Sequence, residues 1–118
     1  MDTAERTILL VDDDADFAEM CSRVLQSMGC RVHVALDGFQ ALRFLDEEVI
    51  DVCLIDQAMP EISGLELVSE MRRRQHKTPV YFCTGFDTTP VTTLSSPLQI
   101  KGILSKPLDR STLARILL

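Results

Sequence analysis

The chain has 118 residues, room for one domain around one core, and 46% of them are hydrophobic, which excludes a disordered chain. Its net charge of -6 argues against direct binding to nucleic acid, which depends on Lys and Arg neutralising phosphates. No apolar run is long enough to span a membrane, and the first seven residues lack the features of a signal peptide.

In chain order, apolar runs alternate with helical patterns. A first strand is expected over Thr7 to Asp12, then a helix over Ala15 to Met28. Phe17, Met20, Cys21, Val24, Leu25 and Met28 form the apolar face of that helix. Asp14 or Asp16 caps its start, and Gly29 ends it. Arg31 to Ala35 is a second strand; Asp37-Gly38 opens a helix reaching about Glu48. Asp51 to Ile55 is the third strand, Met59 to Ser63 a loop, and a helix runs from Gly64 or Leu65 to about Arg74. Arg72-Arg73-Arg74 suits the last turn of that helix, where cations meet the negative end of the dipole. Pro79 to Cys83 is the fourth strand. The stretch from Gly85 to Lys101 is rich in Pro, Ser and Thr, so a fourth helix, about Pro90 to Ser95, should be short or irregular. Gly102 to Leu104 is the fifth strand, and Asp109 starts a last helix with Leu113, Ile116 and Leu117 inward. Short buried strands alternating with helices imply an α/β fold: a doubly wound five-stranded parallel sheet with helices on both faces.

Four cysteines occur, at 21, 30, 53 and 83, with no CxxC spacing, which weakens zinc and redox readings. Cys21, Cys53 and Cys83 are expected to be small buried hydrophobes in a reducing compartment, with the cytoplasm as the expected location.

The strands end in telling residues. The first runs into Asp12-Asp13-Asp14, the third into Asp56, the fourth into Thr84 and the fifth into Lys106-Pro107. Ligands of open parallel sheets bind beyond the carboxyl ends of the strands, so these residues share one edge. A carboxylate such as Asp56 can attack a phosphoryl group to form an acyl phosphate. Two anions must then meet, and charge on the transferring oxygens needs stabilising. Magnesium, or manganese, serves both needs when hard oxygens hold it. Asp12, Asp13 and Asp56 supply three carboxylates, and the backbone carbonyl of Ala58 is a plausible further ligand. Lys106 can place an ammonium on one phosphoryl oxygen, and Thr84 a hydroxyl on another. Taken singly, each residue has a plain explanation as a turn, a cap or a strand end. Four such residues types at four strand ends point to one site.

The chain resembles a receiver domain of the two-component response-regulator family. The matching pieces are Leu9-Leu10-Val11-Asp12-Asp13-Asp14, Leu54-Ile55-Asp56, Met59-Pro60, Gly64, Thr84-Gly85 and Lys106-Pro107, and they cover essentially the whole chain. The resemblance implies a flavodoxin-like sheet of order 2-1-3-4-5. It implies Asp56 as phosphoacceptor, Asp12 and Asp13 as magnesium ligands, Thr84 as the switch hydroxyl and Lys106 as the phosphoryl-binding cation. It also implies a phosphohistidine donor on a sensor histidine kinase or histidine phosphotransfer protein, with an output domain or downstream protein as the target. Such a domain modifies itself and hydrolyses the product slowly; it is no enzyme for an outside metabolite.

Two departures stand out. The family usually has Tyr or Phe three residues before the lysine, and this chain has Ile103. The Pro- and Thr-rich stretch also differs from the usual helix of the output surface. Ala58 and Phe86, two residues beyond Asp56 and Thr84, offer no side-chain hydrogen bond to a hydrolytic water, so a long-lived acyl phosphate is expected. The alternative function is a degenerate receiver used as a phosphorylation-independent binding module. A haloacid dehalogenase motif built on Asp12 and Asp14 fails because Asp16 stands where Thr or Val is needed. Residues 1–118 are read as a single receiver domain, with a stand-alone regulator, the start of a larger protein and a piece of a hybrid kinase all open. The chain stops inside the last expected helix, at Leu118, which is consistent with truncation.

Overall fold

A computed structural model of the chain describes residues 6–85 and 98–117. Its elements in order are β1 (Thr7–Val11), α1 (Ala15–Ser27), β2 (Arg31–Ala35), α2 (Gly38–Glu47), β3 (Val52–Asp56), α3 (Gly64–Arg73), β4 (Val80–Thr84), β5 (Gly102–Ser105) and α4 (Arg110–Leu117). The five strands form one parallel sheet in the order β2-β1-β3-β4-β5. The short helix expected at 90–95, and Phe86, lie outside the described residues.

Alternation along the strands sends side chains to two cores. Leu9 and Val11 of β1, with Cys53, Ile55, Val80 and Phe82, face α2 and α3 through Ala41, Leu42, Leu45, Leu67, Val68 and Met71. Ile8 and Leu10, with Val52, Leu54 and Cys83, face α1 and α4 through Ala18, Cys21, Leu25, Leu113 and Leu117. Both faces are covered, so β3 is buried along its whole length and its sequence is a continuous apolar run ending in Asp56. All four cysteines are buried free thiols. Burial pushes the Cys21 thiol up to about 11 and the Cys53 thiol up to about 12, which leaves both protonated and inert. Cys30 is buried just after Gly29, whose φ of 91° is the left-handed conformation that closes α1.

Each of the first three helices starts on a side-chain cap. Asp14 accepts from the backbone N–H groups of Asp16 and Phe17, which decides between the two caps open in the sequence in favour of Asp14. Asp37 accepts from Gln40 N at 2.8 Å. Ser63 and Glu66 form a reciprocal capping box at the start of α3. Strand bounds shift by one residue from expectation: Asp51 precedes β3, where its carboxylate accepts from Thr7 N, and Asp56 and Thr84 are the last residues of β3 and β4.

The basic triplet ends α3 as expected and divides into two roles. Arg73 and Arg74 pair with Glu70, and Arg74 and His76 with Asp46 at the end of α2. Arg72 instead turns toward the sheet. Its guanidinium donates to the carbonyls of Leu98, His76 and Thr78, tying the chain before β4 to the chain before β5.

Candidate functional site

The carboxyl ends of β1, β3, β4 and β5 bring Asp12, Asp13, Asp56, Thr84 and Lys106 to one edge of the sheet. Asp12 directly follows β1, and its N–H donates to the carbonyl of Ala35 at the end of β2. That bond fixes its backbone, and the side chain is 1% exposed. One carboxylate oxygen, Oδ1, accepts from Asp14 N at 2.9 Å; the other, Oδ2, accepts from Lys106 Nζ at 2.8 Å. Asp13 is exposed beside it. Asp56 closes β3 next to β1, so its carboxylate meets those of Asp12 and Asp13. One oxygen from each of the three lies within 4.8 Å of the others.

Lys106 follows β5. Its backbone N–H donates to the carbonyl of Thr84 at 2.9 Å, which sets the lysine and the threonine side by side across two strand ends. Its ammonium reaches back to lie 2.8 Å from Asp12 and 3.5 Å from Asp56. Burial draws the lysine pKa down, but the Asp12 hydrogen bond and the Asp56 and Asp12 charges outweigh it, so the net shift is upward and the group stays cationic. The Asp56 carboxyl is pushed up to about 6, first by burial and then by the Asp12 charge, against the opposing pull of Lys106 and of the Ala58 N–H. One cation therefore does not balance the carboxylates gathered here. Three hard oxygen donors with surplus negative charge are the donor set that suits magnesium or manganese.

The loop after β3 is held close by Gly64. A Cβ at that position would lie 2.8 Å from the Asp56 carbonyl oxygen and 3.0 Å from Gln57 Cα. Only glycine lets the start of α3 approach the loop after β3 so closely, and Gly64 N donates to the Gln57 carbonyl at 3.1 Å. Ala58 contributes its N–H to Asp56 Oδ1 at 3.4 Å. Ile103, in place of the aromatic, is partly buried against the core on the α2 and α3 side.

The sequence placed Phe17 only on the apolar face of α1. In the fold its ring also lies 4.4 Å from Lys106 Nζ, centroid to nitrogen. Helical spacing signals that Phe17 faces inward, where it is partly buried; no local signal shows that a cation 89 positions later stands above it, since that depends on the Lys106 side chain reaching from the end of β5 back to Asp12 at the end of β1. The cleft of about 750 Å³ between Arg72, His76, Lys77, Pro79 and Lys101 is elsewhere, at the amino ends of β4 and β5.

A family described as the response regulator receiver domain matches residues 8–118. The transcriptional regulatory protein CpxR of Klebsiella pneumoniae is 39% identical over 110 residues, which are 92% of this chain and 47% of that protein. The transcription factor SKN7 of Saccharomyces cerevisiae is 34% identical over 113 residues, 94% of this chain and 18% of that protein. The chain thus spans less than half the length of these curated relatives. The solved structure of the chemotaxis protein CheY4 of Vibrio cholerae superposes with a TM-score of 0.87 at 31% identity and covers 95% of each chain. Family match, relatives and shared fold agree: the chain belongs to the response-regulator receiver family, whose general function is to be phosphorylated on aspartate.

Proposed function

We propose that Asp56 is the phosphoacceptor of this receiver and that Asp12, Asp13 and Asp56, with the Ala58 carbonyl, hold the magnesium ion that receiver domains bind. The observation that carries this reading is the convergence of three carboxylates with the Lys106 ammonium at one sheet edge. Bound there, the metal would offset the repulsion between carboxylate and phosphoryl group. An Asp56 carboxylate oxygen attacks phosphorus in line with the bond to a phosphohistidine nitrogen. The P–O bond forms as the P–N bond breaks, and the imidazole keeps the electron pair and takes up a proton. Lys106 moves from the carboxylates to a phosphoryl oxygen, and the Thr84 hydroxyl donates to another. Thr84 and Lys106 are joined through their backbones, so a shift of one is felt by the other.

Response regulators work with histidine kinases, and the homologues carry output segments beyond the receiver. For this chain, the donor would be a sensor kinase or histidine phosphotransfer protein in the cytoplasm. The readout would be an output domain or a downstream protein. The domain would catalyse its own modification and a slow hydrolysis.

The test is intact-mass spectrometry after incubation with acetyl phosphate and magnesium. Wild type should gain one phosphoryl group, and Asp56→Asn none. Lys106→Ala should still accept the group but fail to signal. No gain by wild type, with magnesium shown to bind, would overturn the reading in favour of a module that acts by protein contact alone.

A further inference from the structure

Among the described residues the Lys106 ammonium has three partners, and a divalent cation changes two of them. Asp12 Oδ2 at 2.8 Å and Asp56 Oδ1 at 3.5 Å hold it by charge. Once a metal draws on those carboxylates, their pull on the ammonium weakens and the metal itself repels it. The third partner is the face of Phe17, 4.4 Å from ring centroid to Nζ. Its attraction comes from the ring quadrupole and does not depend on the carboxylates. The ring is also fixed in place. Phe17 N donates to the Asp14 cap at 3.1 Å, and the side chain packs against the core that contains Leu10, Ala18 and Cys21.

We infer that Phe17 is a positioning residue: its ring retains the Lys106 ammonium at the site against the repulsion of a bound metal, so that the ammonium is in place when the phosphoryl group arrives. The inference rests on the phosphoacceptor reading above and adds to it a role for an aromatic on α1. It has a two-sided consequence. Without the ring, Lys106 swings away more easily. Magnesium then binds more tightly, because less repulsion opposes it, while phosphoryl transfer slows, because the cation is absent. Simple structural damage would weaken both.

The experiment compares wild type, Phe17→Leu and Phe17→Tyr by NMR and by kinetics. The chain has three lysines, at 77, 101 and 106, so their ε-methylene signals can be assigned by single substitutions. The ring face should shield the Lys106 signal in wild type and Phe17→Tyr, with and without magnesium, and that shift should vanish in Phe17→Leu. Magnesium titration, followed by amide shifts, should show about threefold tighter binding to Phe17→Leu. At saturating magnesium, its maximal phosphorylation rate from acetyl phosphate should fall about three- to tenfold, with both effects reversed in Phe17→Tyr. An unshifted Lys106 signal in wild type, or affinity and rate falling together in Phe17→Leu, would overturn the role of Phe17. If wild type accepts no phosphoryl group, the phosphoacceptor reading fails, and the NMR and magnesium results still judge Phe17 by themselves.

Discussion

Replacing Asp56 with Asn should make the metal-free protein more stable at neutral pH. The Asp56 carboxyl is pushed up to about 6 in the fold by burial and by Asp12, whereas an unfolded aspartate titrates near about 3.9. A raised carboxyl pKa means that the folded state binds the proton more tightly than the unfolded state. Stability contributed by this group is therefore greatest in acid and falls as pH rises from about 4 to about 6. With the side chain only 9% exposed, solvent screening removes little of the effect. A shift of about two units at about 1.36 kcal/mol each amounts to about 3 kcal/mol by pH 8. Asn keeps the shape without the charge, so it should recover about 2 to 3 kcal/mol at pH 8 and under about 1 kcal/mol at pH 4.5. The assay is urea denaturation in a metal chelator at both pH values, with the midpoint and slope fitted for each protein. Magnesium at a hundredfold its dissociation constant should add about 2.7 kcal/mol to wild type and much less to the variant, closing the gap. A variant no more stable than wild type at pH 8, or a gap that persists in acid, would refute the electrostatic account of the site.

Two other substitutions probe the framework. Gly64→Ala would drive a Cβ against the Asp56 carbonyl oxygen and the Gln57 backbone; a loss of about 1 to 3 kcal/mol is expected, with slower phosphorylation in the same preparation. Ser63→Ala removes one half of the α3 capping box; it should cost about 1 kcal/mol in urea denaturation and leave the phosphorylation rate near that of wild type. At the far end of α3, Glu70 is held down to about 2 by hydrogen bonds from Arg73 and Arg74. A depressed carboxyl pKa contributes stability above the ordinary carboxylate range and loses it as pH falls toward 2. Glu70→Gln should accordingly flatten the acid limb of a stability profile between about pH 4.5 and pH 2, and should do so less in high salt.

Much of this protein is legible in its local sequence. Ile8 to Val11 and Val52 to Ile55 are apolar without a break because strands covered on both faces must be. Asp14, Asp37 and Ser63 start helices because a side-chain oxygen satisfies N–H groups that the first turn leaves open. Asp12, Asp56, Thr84 and Lys106 are readable as a site because parallel strands put their ends on one edge. The strand order had a different source: it came through the family resemblance, since local periodicity carries no information about which strand neighbours which.

Contacts between distant residues were decided by tertiary packing alone. Asp12 divides its two oxygens between its own loop and Lys106, which is 94 residues away. Arg72 is one of three arginines in a row, yet it alone reaches Leu98, because its position on α3 points it at the sheet. Phe17 shows the limit most clearly. Its spacing along α1 determines that it faces inward, and the reach of Lys106 from the end of β5 back to Asp12 determines that a cation lies over its ring. A helix's own geometry sets which face turns inward, but the chemistry met by that face belongs to whichever side chains the whole chain brings to it.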